Sequence, residues 1–253
     1  MKALIDGDIV CYRCAAVCEN AELGLAIWQT DVLLSRILED IDSDDWKIFI
    51  SGEENFRYEL YPDYKANRRD LPKPKHLEDL RTHLVLEWDA SIVNGYEADD
   101  AMAMEHTNDT IICSIDKDLL QLPGWHYNFV RGETRLLTEL EGLYNFYYQV
   151  LVGDPTDNVK GCPGIGKAKA PRLLDKCQSE VAFYEAVVKA YQHAYKDSPD
   201  KDEWFRQLNL NAQLLYIRRS PEEGWKKPEQ EAGVESSSLM CETDTSTVHG
   251  STV

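Results

Sequence analysis

The sequence predicts an α/β fold built on a mostly parallel β-sheet, and three observations carry that prediction. Short apolar runs alternate with stretches whose apolar residues recur every three to four positions, the pattern of strands followed by crossover helices. Acidic residues stand directly after the strand-like runs, where parallel sheets gather their ligands. At 253 residues and 43% hydrophobic, the chain can bury a substantial core, as one large domain or a large domain with a small partner.

The first strand centres on Leu4 and Ile5 and stops at Asp6-Gly7-Asp8, after which Ile9 to Val17 continues as a helix. A second helix is expected over Asp31 to Ile41, because Val32, Leu33, Leu34, Ile37, Leu38 and Ile41 fall on one face. Trp46 to Ile50 reads as a strand, and Pro72 and Pro74 open a helix near Lys75. Further on come a helix over Glu97 to His106, a strand over Thr110 to Ser114 and a helix over Leu137 to Val152. From Ser220 the chain turns to Pro, Glu, Ser and Thr with few apolar residues, a composition that predicts a disordered tail over 220–253.

Met1-Lys2-Ala3-Leu4-Ile5-Asp6 places a carboxylate where a secretory leader needs an unbroken apolar stretch, and no run of about 18 apolar residues occurs. The expectation is a cytoplasmic chain with no membrane partner. Seven scattered cysteines, an odd number, read as reduced thiols. Cys11, Cys14 and Cys18 share one helix face, but no fourth ligand with matching spacing accompanies them, which favours core packing over a soft-metal site. The six histidines form no H-x-x-x-H or H-E-x-x-H pair.

A net charge of −18 argues at first against a nucleic-acid partner. The distribution reverses that argument. Lys65, Arg68, Arg69, Lys73 and Lys75 form one basic stretch, and Lys160, Lys167, Lys169 and Arg172 form another. The acids fall into four groups at element ends: Asp6 with Asp8, Glu97-Ala98-Asp99-Asp100, Asp116 with Asp118, and Gly153-Asp154-Pro155-Thr156-Asp157. One such pair is ordinarily a cap or a solvated turn. Four of them in ligand-gathering positions are better explained by a shared cation site.

Clustered carboxylates repel one another unless cations lie between them. Mg²⁺ takes oxygen ligands and is commonly shared with phosphates. Two such ions roughly 4 Å apart can activate a water and stabilise the leaving oxygen of a phosphodiester, with no side-chain nucleophile. The sequence has no nucleophile elbow and no P-loop. Gly161-Cys162-Pro163-Gly164-Ile165-Gly166-Lys167-Ala168-Lys169-Ala170 adds a glycine hairpin before a lysine-bearing helix start, suited to close approach of a DNA phosphate.

The ordered series Asp6, Tyr64-Lys65-Ala66-Asn67-Arg68, Glu97-Ala98-Asp99-Asp100, Asp116-Lys117-Asp118, Gly153-Asp154 to Asp157 and Pro163-Gly164-Ile165-Gly166 resembles the flap endonuclease family. It is most similar to bacteriophage 5′–3′ exonucleases and the 5′-nuclease domain of bacterial DNA polymerase, over about residues 1–218. The resemblance implies a PIN-like nuclease domain over 1–152 with a helical arch around 57–86, then a helix-three-turn-helix (helix-hairpin-helix) DNA-binding region with closing helices over 153–219. It implies a first metal held or oriented by Asp6, Glu97, Asp99 and Asp100, with Asp8 assisting, and a second by Asp116, Asp118, Asp154 and Asp157. Asp6, Asp100, Asp116 and Lys65 would be catalytic. Lys65 would stabilise charge at the scissile phosphate, Tyr64 would stack on a nucleotide, and Arg68 and Arg69 would steer the strand. Gly164, Gly166, Lys167 and Lys169 would hold the duplex. The implied cofactors are two Mg²⁺ ions, replaceable by Mn²⁺, and K⁺ at the hairpin. The implied partners are DNA with 5′ ends or flaps, RNA–DNA hybrids and replication proteins, bound by a monomer.

The sequence departs from the family pattern twice. Ser51-Gly52-Glu53 stands where many members end the second strand in aspartate, so one metal contact is missing or comes from Glu53 or Glu54. Pro171 falls in the helix after the hairpin, where it removes an amide donor and is expected to kink it. The missing aspartate keeps a non-cleaving DNA-end or junction binder open, and a PIN-type ribonuclease is a third reading. The otherwise full acidic set opposes the first, and the glycine hairpin with its lysines opposes the second.

Overall fold

The computed structural model describes residues 1–229. In chain order it runs β1 (Lys2–Asp6), α1 (Gly7–Val17), α2 (Leu23–Asp40), β2 (Trp46–Asn55), α3 (Phe56–Leu60), α4 (Leu77–Glu87), β3 (Ser91–Gly95), α5 (Ala98–Glu105) and β4 (Thr110–Cys113). A β5 (Gly124–Asn128) and β6 (Glu133–Leu137) hairpin follows, then α6 (Glu139–Val152), α7 (Ala170–Leu174), α8 (Glu180–Ala194) and α9 (Glu203–Leu215).

The six strands lie in the order β3-β2-β1-β4-β5-β6, parallel except for the antiparallel edge strand β6. The chain builds outward from β1 on one side, then returns to β4 on the other. That reversal makes the carboxyl ends of β1 and β4 the topological switch point, where such sheets open a crevice. Alternation along the strands divides the core. Ala3, Ile5, Ile48, Ile50, Ile111 and Cys113 face α1, α2 and α4, whereas Leu4, Phe49 and Ile112 face α5. A separate core, rich in tyrosine and phenylalanine, joins α6, α7, α8 and α9.

Every predicted strand and helix has a counterpart, with revised bounds. α2 starts eight residues before the predicted Asp31, and its first turns bury Ala26 and Thr30. Cys11, Cys14 and Cys18 are buried core residues, and burial raises the Cys11 and Cys14 thiols.

Three expectations need correction. The 57–86 segment does not stand up as a helical arch: it holds α3, one 3-10 turn at Ala66–Arg68, and α4. Leu77, Leu80 and Leu84 make a stripe on α4 that packs into the main core, so this helix lies against the body. Pro171 does not kink its helix, because α7 begins at Ala170 and the proline sits in the first turn, where its missing N–H has no intrahelical partner to lose. The tail does not begin at Ser220. Trp225 is buried in the second core between Phe146 and Tyr184, and its carbonyl accepts from the Gln213 side chain at 2.7 Å. The rest of the predicted tail, 230–253, lies outside the described residues.

Candidate active site

The carboxyl end of β1 is Asp6. One of its oxygens caps α1 by accepting the Ile9 N–H at 3.0 Å, and the other accepts the Ser114 hydroxyl at 2.7 Å, just beyond β4. The Asp116 N–H donates to the Ser114 hydroxyl at 3.0 Å, and an Asp116 oxygen accepts the Asp118 N–H at 2.9 Å. Asp99 joins this set from the first turn of α5. Burial, reinforced by Asp8 and Asp116, carries Asp6 up to about 7 against its two hydrogen bonds. Asp99 is raised well above the ordinary aspartate value by burial and by Asp116, Asp6, Glu97 and Asp118. Asp6 and Asp99 have too little positive charge beside them to ionise freely.

A second set is paired with protein cations, although burial and Glu97 still raise Asp157. Lys65 pairs with Glu97 through a short contact and lies 3.9 Å from Asp157, while Arg68 pairs with Asp157 at 2.7 Å. The Tyr64 hydroxyl donates to Asp157 at 2.8 Å and to Glu97 at 3.1 Å. Burial alone would raise Glu97, but Lys65 and Arg57 outweigh it and hold the carboxylate below its ordinary value. Lys65 adopts a left-handed backbone (φ 53°), and its N–H donates to the Asp157 carbonyl at 3.0 Å. A lysine in that conformation is strained, and such strain persists where surrounding bonds enforce it.

The two sets meet at Lys117. Its ammonium lies 3.0 Å from Asp118 and 2.5 Å from Asp154. Burial and Asp116 lift Asp118 to about 6 despite the lysine, whereas Lys117 and Thr156 overcome burial at Asp154 and lower it. Asp154 and Asp157 sit in the turn after α6. Gly153 (φ 76°) and Gly161 (φ 69°) close that turn so tightly that a Cβ on Gly153 would fall 2.6 Å from the Gly161 nitrogen.

Asp100, predicted as a metal ligand and catalytic residue, has both its oxygens engaged away from the other acids in this structure. It is fully buried, and both its oxygens are held by the Arg57 guanidinium at 2.6 and 2.9 Å. It also accepts the Glu97 N–H at 3.1 Å and the Arg218 N–H at 2.8 Å. Its chemistry is spent on joining α3, α5 and the segment after α9. Tyr64 is likewise buried and oriented by Asp157 and Glu97, so its ring cannot stack on a nucleotide as the resemblance implied. Arg69 is exposed and donates to the Pro62 carbonyl at 2.5 Å.

Ser51 lies inside β2, which runs on to Asn55 and leaves Glu53 and Glu54 exposed. The Ser51 hydroxyl accepts the Ala98 N–H at 2.9 Å and its own N–H donates to Asp8 at 2.8 Å. Asp8 also pairs with Arg81 of α4. Arg57, Arg81 and Gln149, which donates to Asp118, were missed in the sequence because each is an isolated polar residue in an ordinary helical pattern. The hairpin glycines Gly164 (φ 76°) and Gly166 face open space, and Lys167 is exposed. Lys169 folds back onto the Gly164 carbonyl at 2.8 Å.

Among the described residues, no three Asp, Glu, His or Cys side chains stand close enough together to share one metal ion. The donor chemistry nonetheless fits a hard divalent cation. The available ligands are carboxylate oxygens, and three of the acids are pushed toward protonation by burial and by neighbouring carboxylates, a penalty that a bound cation relieves.

Solved structures share the fold. A crystal structure of a bacteriophage T5 protein with metal ions aligns with a TM-score of 0.64 at 16% identity, over 85% of this chain and 89% of the other. The T5 flap endonuclease in a pseudo-enzyme-product complex with DNA and metal ions gives a TM-score of 0.61 at 16% identity, over 85% and 89%. A 5′-3′ exonuclease of Buchnera aphidicola is 27% identical over 67% of this chain and 65% of its own length. DNA polymerase I of Thermus thermophilus is 30% identical over 68% of this chain but 23% of its own. The chain thus spans about a quarter of the polymerase relatives it matches. Residues 2–145 match the family described as 5'-3' exonuclease, N-terminal resolvase-like domain, and this chain belongs to that family.

Proposed function

We propose that this chain is a metal-dependent 5′–3′ exonuclease and 5′-flap endonuclease that hydrolyses DNA phosphodiesters, working in bacteriophage DNA replication or repair in the host cytoplasm. The observation that supports this most is that acids of separate motifs bear on one another: Asp99 meets Asp6, Asp116 and Asp118, and Asp118 in turn meets Asp154 from the turn after α6. Drawn closer by the bound ion, Asp6, Asp99 and Asp116 would contribute oxygens to one divalent cation, and Asp118 and Asp154 to a second. When bound, the cations supply an ionised water and charge neutralisation at the phosphate.

The chain's own groups do the rest. Lys65, anchored through its strained backbone, presents a cation beside Glu97 and Asp157 to stabilise charge on the phosphate. Ser114 orients Asp6, and Gln149 orients Asp118. The open hairpin at Gly164 and Gly166, with exposed Lys167, grips duplex backbone without reading sequence. The test is cleavage of end-labelled duplex, flap and RNA–DNA hybrid substrates with and without Mg²⁺. Mg²⁺-dependent release of products from 5′ ends or flaps is expected. Binding without cleavage in Mg²⁺ and in Mn²⁺ would overturn the reading.

A further inference from the structure

We propose that Lys117 is a built-in stand-in for a divalent cation: its ammonium holds Asp118 and Asp154 together, and an entering cation displaces it. This inference rests on the two-cation reading above. The lysine nitrogen lies 3.0 Å from Asp118 and 2.5 Å from Asp154, carboxylates brought from the turn after β4 and the turn after α6. Both acids are oriented by groups independent of the lysine. Asp154 accepts the Thr156 N–H at 2.7 Å, and Asp118 accepts the Gln149 amide.

The partners differ in freedom. The Asp154 side chain is 3% exposed and fixed, while that of Lys117 is 64% exposed and free to swing away. Mg²⁺ binds carboxylate oxygens at about 2.0–2.1 Å, so it cannot share the same oxygens with an ammonium lodged between them. Cation entry is therefore an exchange. Lys65 contrasts with this: its side chain is 21% exposed, its N–H is bonded to the Asp157 carbonyl, and it stays. One lysine keeps the metal-free acids together and leaves, and the other remains for the chemistry.

The test uses Lys117→Met and Lys117→Gln in the full chain without DNA, with free Mn²⁺ read by electron paramagnetic resonance and thermal melting followed with and without Mn²⁺. Both variants should melt lower than wild type in the absence of metal and bind Mn²⁺ about three- to tenfold tighter. Saturating Mn²⁺ should erase the difference in melting temperature. Unchanged or weaker Mn²⁺ affinity in folded variants would overturn the exchange and leave Lys117 a structural residue. Failure of wild type to bind Mn²⁺ at all would instead remove the two-cation reading, and this inference with it.

Discussion

Asp99 and Asp100 are neighbours in the first turn of α5, yet they belong to opposite electrostatic worlds. Asp100 is buried against a guanidinium that uses both its oxygens. Asp99 meets Asp6, Asp116, Glu97 and Asp118 and is driven toward protonation. The same contrast extends across the site. Glu97 and Asp154 are held low by Lys65, Arg57 and Lys117, whereas Asp6, Asp99 and Asp116 have no protein cation bonded to them among the described residues. The half that the chain leaves uncompensated is the half that must take its positive charge from solution.

The contrast can be broken by exchanging one residue at a time. Asp99→Asn should fold, melt higher than wild type without metal, and lose cleavage by on the order of 10³-fold or more, about 4 kcal/mol of transition-state stabilisation. Retained cleavage in a single-turnover assay would place Asp99 outside the chemistry. Asp100→Ala removes the bidentate partner of a buried guanidinium and leaves Arg57 only Glu97, at 3.6 Å, as a counter-charge, so it should lower stability by about 3–5 kcal/mol. Denaturant unfolding of Asp100→Ala within about 1 kcal/mol of wild type would show the clasp to be idle. For Lys65→Ala the single-turnover rate should fall roughly 10²- to 10³-fold, with DNA affinity nearly kept. Matching losses in rate and affinity would make Lys65 a binding residue.

Most of the fold was legible because its signals are local. The apolar runs of β1, β2 and β4 and the glycine-bounded turn after α6 are continuous in sequence. The acidic motifs were legible as a set, since four element ends share one composition. What escaped was pairing across distance. Nothing at Arg57 announces Asp100, 43 positions away, so no sequence signal shows that this aspartate, and not Asp99, is the one tied up in an ion pair. Tyr64 lies in a polar stretch that suggests exposure, and only the tertiary contact with Asp157, 93 positions on, buries it. Trp225 is a single aromatic in a Pro- and Glu-rich run, without the periodicity that would mark it as core.

The acids raised by burial predict a pH dependence whose sign is fixed. Asp6 is raised to about 7, Asp118 to about 6 and Asp99 well above the ordinary 3.8, so the folded chain binds more protons than the unfolded chain between about pH 4 and 7. These groups therefore cost stability as pH rises through that window. Glu97 and Asp154, held low, lose their stabilising effect only below it. His126, lowered by burial to about 4, acts in the opposite direction over the same range. Comparing wild type with Asp99→Asn cancels it.

The most direct measurement is therefore the melting temperature of wild type and Asp99→Asn from about pH 5.5 to about pH 8, with and without Mg²⁺. Without metal, wild type should lose stability relative to Asp99→Asn as pH rises. Mg²⁺ should restore wild type most at the alkaline end and the variant much less. Parallel curves for the two proteins, with equal or absent response to Mg²⁺, would contradict the claim that this half of the site is built around a cation from solution.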